Sequence, residues 1–271
     1  MTRPTRSILL LLALFSFAGV SAAHETWLLP ASMRIRAGET VALSLTSGMA
    51  FPADDFAIQP ARVVRAEARV GKRIEQLKKP KLQPTSLQYL WTPRAGGVAT
   101  IGIELGPRTL TLEPKLIEEY FQEIHASDEV RAQWDSIPSP KRWRESYVKH
   151  ASSFIRVGPP GNDKSWASPL GLGLEIIPET DPTSLSAGDT LRVRVMRRGK
   201  EIAGFAVGAR REGDSTETFV NTDGDGRAAI PLPKEGRWLV FGTDLRRARE
   251  RGLEWRSDFV TTTVGVGSPS R

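Results

Sequence analysis

Between residues 24 and 112, short apolar runs alternate with turn residues. The runs at 41–45, 61–70, 87–91 and 98–103 are separated by Gly38, Pro52, Pro80, Pro84 and the pair Gly96-Gly97. Runs this short, about ten residues apart and free of helical spacing, predict antiparallel strands packed as a β-sandwich. After Glu113-Pro114 the period changes. Leu116, Ile117, Tyr120, Phe121 and Ile124 repeat at helical spacing, and Pro114 suits a first turn because its missing N–H has no intrahelical acceptor there. Beyond Ser139-Pro140, the positions of Trp143, Tyr147 and Ala151 also fall on one helical face, so the pattern predicts a helical hairpin over 114–152. From Phe154 the strand pattern returns, most plainly in the period-two alternation Leu191-Arg192-Val193-Arg194-Val195-Met196.

These elements predict a mainly β chain with two immunoglobulin-like or transthyretin-like β-sandwich domains and a helical hairpin inserted between them. The expected divisions are a leader at 1–23, an N-terminal sandwich at 24–113, the helical insertion and a return strand at 114–157, and a C-terminal sandwich at 158–271. Gly158-Pro159-Pro160-Gly161-Asn162 supplies the linker at the last boundary.

The leader has the form of a secretory signal peptide. Arg3 and Arg6 precede an apolar stretch over 8–20, and Ser21-Ala22-Ala23 offers the small residues that signal peptidase requires. That stretch is shorter than the ~20 apolar residues of a bilayer span, so no stable membrane insertion is expected after cleavage, and the mature protein is expected in the periplasm or secreted. The 271 residues include no cysteine, which removes disulfide, thiolate and zinc–cysteine chemistry. Losing Arg3 and Arg6 with the leader lowers the formal charge from +7 to +5. The basic runs are interrupted by acids and lack interleaved aromatics, so nucleic acid is not an expected partner.

Catalytic signatures are missing as well. The sequence has no Gly-x-Ser-x-Gly elbow, no His-Glu-x-x-His pair and no glycine-rich phosphate loop, and an enzyme is not expected. Asp223-Gly224-Asp225-Gly226 resembles the front of a calcium loop but lacks its distal glutamate, so it reads as a tight turn. Of the three histidines, His125 and His150 fall at surface or boundary positions. His24 is different: cleavage after Ala23 makes it the first residue, and its α-amine and imidazole Nδ1 then close a chelate ring of the kind copper(II) and nickel(II) favour.

The segment His24-Glu25-Thr26-Trp27-Leu28-Leu29-Pro30 resembles the mature N-terminus of a bacterial family of exported proteins of unknown function, often labelled as periplasmic components of nickel or cobalt uptake. The likeness continues through Gly48-Met49-Ala50-Phe51-Pro52, Glu145-Ser146-Tyr147-Val148-Lys149-His150-Ala151, residues 173–182, Thr222-Asp223-Gly224-Asp225-Gly226 and Gly236-Arg237-Trp238-Leu239-Val240. It implies two β-sandwiches with a helical insertion and a divalent transition-metal site built on His24. Where members commonly carry further histidines, this chain has Met49 and, by its place in the strand, Asp244. Its C-terminal strand, Trp255-Arg256-Ser257-Asp258-Phe259-Val260-Thr261, also departs from the family pattern.

A site completed by the thioether of Met49 and the carboxylate of Asp244 is therefore expected to hold nickel or cobalt, or copper given the softer sulfur. The expected role is metal uptake with a membrane transporter as partner. Two alternatives stand beside it: a metal-free immunoglobulin-like interaction module of the envelope, and a periplasmic copper-binding protein.

Overall fold

The computed structural model describes residues 25–159 and 161–268; the expected leader and His24 lie outside the described residues. The first part of the chain forms β1 (Glu25–Pro30), β2 (Arg34–Ile35), β3 (Val41–Gly48), β4 (Phe56–Ala57) and β5 (Val63–Val70). It continues with β6 (Arg73–Gln76), β7 (Lys81–Leu82), β8 (Leu87–Trp91), β9 (Gly97–Leu105) and β10 (Arg108–Leu112). Two short helices, α1 (Ile117–Glu123) and α2 (Asp128–Asp135), lead into the 15-residue strand β11 (Trp143–Val157). There follow β12 (Leu174–Pro178), β13 (Asp189–Arg197), β14 (Lys200–Glu201), β15 (Ala206–Arg211) and β16 (Thr218–Asn221). The last strands are β17 (Arg227–Leu232), β18 (Gly236–Arg247) and β19 (Trp255–Val266).

The mainly β architecture is as the alternation predicts, but the halves share a sheet. One large sheet runs in the order β16-β15-β18-β19-β11-β9-β5-β6, with β10 and β2 also pairing with β11. Its centre is the parallel pair of β11 and β19, joined from Glu145 opposite Trp255 to Ser153 opposite Thr263. A small sheet, β1-β3-β8-β7 with β4 on β3, covers part of one face; β12-β13-β14 with β17 on β13 covers part of the other. The chain does turn out of β11 near the expected linker. The hydrogen-bonded sheet nevertheless crosses from one half to the other, so the C-terminal sandwich is not a separate body.

Side-chain alternation assigns each face its core. Ala99, Ile101, Ile155 and Val157 meet Leu43, Leu45, Leu87 and Tyr89 of the first small sheet. The neighbouring positions Val98 and Phe154 point the other way, joining Val240, Val260 and Val264 against Leu191, Val193 and Val195. Burying each such side chain contributes about 1.5–3 kcal/mol against chain entropy, so the shared sheet supports two cores at once.

The helical hairpin exists but ends at Asp135, and the helix expected beyond Ser139 is strand β11. Spacing of four residues is compatible with a helical face and is also a multiple of two, so Trp143, Tyr147 and Ala151 mark one face of a strand equally well. What hid the strand is that the intervening same-face residues, Glu145 and Lys149, are polar yet buried. α1 and α2 pack on this face through Tyr120, Phe121, Val130 and Trp134, against Trp143 and Trp255. Ser127 caps α2, its Oγ accepting the Val130 N–H.

Candidate metal centre

A recess of about 100 Å³, room for a hydrated ion or a few waters, opens where β1 begins. Antiparallel pairing sets Glu25 opposite Gly48, so the start of β1 and the loop after β3 share this end of the molecule. β1 is fixed on the large sheet by Thr261, whose Oγ1 donates to the Thr26 carbonyl at 2.5 Å, and by Thr263, donating to Leu28 at 2.7 Å. The loop folds back because the Met49 N–H donates to Asp55 at 3.0 Å, while Phe51 stands edge-on to Trp27 at 5.5 Å.

Gly48 has no room for a side chain. A Cβ there would lie 2.8 Å from the Trp27 ring and 2.9 Å from the Ala53 carbonyl. Gly48→Ala is therefore expected to lower stability by about 1–3 kcal/mol, the cost of overpacking, measured by denaturant unfolding; an unchanged midpoint would show that the loop yields freely.

Charged groups crowd the recess. Arg210 pairs with Glu25 and, at 2.5 Å, with Glu217, and its guanidinium lies over Phe241 at 5.7 Å. Burial pushes the Glu25 carboxyl up to about 7 despite the pull of Arg210, with Glu217 adding to the rise. Burial likewise lifts Glu123, at the end of α1, to about 7, assisted by Glu119 and Glu217. Lys149, buried on β11 and facing the rings of Tyr147 at 5.9 Å and Phe259 at 5.6 Å, is lowered to about 8, mainly by desolvation. Three groups thus titrate near neutrality around one recess.

The residues expected at the site divide. His24, outside the described residues, is joined by a peptide bond to Glu25, which lines the recess. Met49 lies at the mouth with 62% of its surface exposed. Asp244 is not brought to them: its Oδ2 is held by Arg197 and Arg246, each at 2.6 Å. The physical reason is strand alternation along β18. Phe241 faces the recess, and an even-numbered residue three positions on projects from the opposite face.

Glu123, Lys149, Arg210 and Glu217 were not singled out from the sequence. The alternation through Trp143, Glu145, Tyr147 and Lys149 was the one signal that would have identified Lys149 as inward-facing.

The remaining sequence candidates have other duties. His150 is buried between Asp258, 2.9 Å from Nε2, and Glu104, 3.2 Å from Nδ1. Asp223 accepts the backbone N–H groups of Asp225 at 2.9 Å and Arg227 at 2.8 Å, as a tight turn requires. Among the described residues, no three histidine or carboxylate groups cluster so as to hold an ion alone, and Glu25 and Glu217 already share Arg210. The described donor set fits a metal only if further donors complete it.

No helix among the described residues is long and apolar enough to cross a membrane. No curated protein matches the chain. Among solved structures, the D0-D1 domain of intimin is 12% identical, with 88% of this chain and 96% of that one covered at a TM-score of 0.23. The Yersinia pseudotuberculosis adhesin InvE is 11% identical over 89% of this chain and 58% of its own, at 0.24. The ectodomain of mouse nectin-like molecule 4 is 10% identical over 91% and 65%, at 0.22. The family model for a domain of unknown function, DUF4198, matches residues 21–241, and with that span covering most of its length the chain belongs to the DUF4198 family.

Proposed function

We propose that the mature protein is an exported carrier, not an enzyme, which binds a divalent transition metal and delivers it to a membrane transporter. Nickel or cobalt is the cargo that the resemblance of the N-terminal segment implies, and copper is the alternative that a thioether donor favours. The observation that carries this reading is that Glu25 and Met49 line one recess, so the bond from His24 to the described chain is made at its wall. In this assignment His24 supplies an amine and an imidazole, Met49 a thioether, and Glu123 a carboxylate not committed to Arg210. Asp244, held by two arginines, is left out.

The test is native mass spectrometry of the exported protein, purified without tag or chelator and titrated with equimolar nickel, cobalt, copper and zinc. The expected result is a chain beginning at His24 with one bound ion. His24→Ala should reduce affinity by more than the roughly 10–100-fold typical of losing an outer-shell partner, and Asp244→Ala should leave the stoichiometry at one. A chain beginning at His24 that holds none of the four ions would overturn the carrier reading and favour the metal-free interaction module.

A further inference from the structure

A second, larger cleft lies along the α1–α2 turn and has Thr243 alone in common with the lining of the recess at Glu25. Two adjoining cavities, of about 490 and 590 Å³, share His125, Ala126, Ser127, Gly204 and Ala206 and form one trench between the helix pair and the C-terminal strands. This volume is in the range of small-molecule sites.

The helix wall is fixed in place. His125 adopts a left-handed backbone, φ +49°, at a helix end where glycine would be unstrained. Its ring stacks on Phe219 at 3.4 Å and ties the turn to β16. Arg131 spans the turn, donating to the Ala126 carbonyl at 3.3 Å and pairing with Glu118 at 2.8 Å.

The two walls carry opposite charge. On the strand side stand Arg197, Arg246 and Arg247; on the helix side stand Asp128 and Glu129, in the first turn of α2. Arg131 on the helix side is engaged by Glu118, and Asp244 on the strand side is engaged by Arg197 and Arg246. Arg246 has its second Nη on Asp258 at 2.6 Å. Among the described residues Arg197 uses Nη1, on Asp244. Arg247 lies over Trp255 at 4.9 Å, and no ion pair to it is found among the described residues. Among the described residues, two guanidinium groups thus keep unused donors in the first cavity, which Glu129 also lines, and Asp128 lines the adjoining one. A carboxylate fits the planar fork of an arginine, and an ammonium fits the acidic wall.

We propose that this trench binds a small dipolar ligand, an amino acid or short peptide, with its carboxylate on Arg197 and Arg247 and its ammonium toward Asp128 and Glu129. The segregation of sign selects against a simple polyanion, which the helix wall would repel, and against a simple cation, which the strand wall would repel.

The experiment is isothermal titration of the full mature protein with triglycine in the presence of a chelator, set against N-acetyl-triglycine and triglycine amide. Triglycine is expected to bind, and blocking either end should weaken it about tenfold or more, the loss of one charge-assisted hydrogen-bonded contact. Arg247→Ala, at an exposed residue, and the pair Asp128→Asn with Glu129→Gln should each reproduce the corresponding loss while circular dichroism stays unchanged. His24→Ala should bind triglycine as the unaltered chain does, which separates this site from the metal reading. Absence of triglycine binding, equal binding of the blocked peptides, or full binding by Arg247→Ala would overturn the proposal.

Discussion

Replacing His150 with phenylalanine is expected to destabilise the protein by about 3–5 kcal/mol, the range for removing one partner from a buried ionic cluster. His150 lies 2.9 Å from Asp258 and 3.2 Å from Glu104, and it stands next to the Glu104 end of a chain of alternating charge. Asp258 continues to Arg246 at 2.6 Å, and Arg246 to Asp244 and then Arg197. The cluster links β9, β11, β19, β18 and β13, so it fastens both halves to the shared sheet. Without the imidazole, Glu104 retains the Gly173 N–H at 3.0 Å but has lost its buried partner, and Asp258 is left to Arg246. Phenylalanine fills the volume without restoring charge, which makes the electrostatic loss legible.

The same substitution should change the pH dependence in a defined direction. Burial draws the imidazole pKa down, but its hydrogen bond to Asp258 and the neighbouring Glu104 carboxylate outweigh it and hold it above the ordinary 6.5. A raised imidazole pKa gives stability that is complete below 6.5 and fades as pH rises through the folded value. Asp258 behaves oppositely. Burial pushes its pKa up, yet His150 and Arg246 hold it at about 2 against an ordinary 3.8, so its contribution is present above 3.8 and disappears as pH falls toward 2. Denaturant unfolding at pH 5, 7 and 9 should therefore show the widest gap between parent and variant at pH 5 and a narrower one at pH 9. A gap that stays constant with pH would mean that His150 acts through packing and not through charge.

The β-strands were legible because their cores are built from ordinary alternation. Leu191, Val193 and Val195 are buried while Arg192 is exposed, and the sequence shows the same rhythm. Strand β11 was not legible as a strand because its inward face carries Glu145 and Lys149, whose burial depends on partners remote in sequence: Tyr120 and Ser257 for Glu145, and the ring of Phe259 for Lys149. A local pattern reports polarity and cannot report that a distant hydroxyl satisfies it. The recess suffered in the same way. Met49 is anticipated by the family resemblance at residues 48–52, whereas Glu25, Glu123, Arg210 and Glu217 arrive from separate segments. Asp244 stood at a plausible place in the chain, and only the parity of β18 shows that it faces two arginines instead.

Trp143→Ala is expected to cost about 3–5 kcal/mol, as for other large aromatic truncations in a core, and to lower the melting temperature by about 10 °C for a chain of this size. The indole is 1% exposed. It stacks on Trp255 at 4.7 Å and is met edge-on by Tyr120 and Phe121, each at 5.7 Å, and by Trp134 at 5.5 Å. Its Nε1 donates to Glu145 at 2.9 Å. Glu145 is fully buried and pairs with no cation among the described residues, so its stability rests on the donors from Trp143, Tyr120 and Ser257; burial already raises its pKa in spite of them. Removing the indole opens a cavity and withdraws one of these donors together. The damage should be local, because the helix pair meets the large sheet chiefly through this aromatic cluster, whereas β13 and β17 belong to the other core. Hydrogen exchange should show early loss of protection in α1 and α2 while β13 and β17 keep theirs. Trp143→Phe, which retains a ring but not the donor, should fall between the two. Uniform loss of protection across the sheet would instead mean that the helices and both sandwiches unfold as one unit, and that the cluster around Trp143 holds the whole shared sheet together.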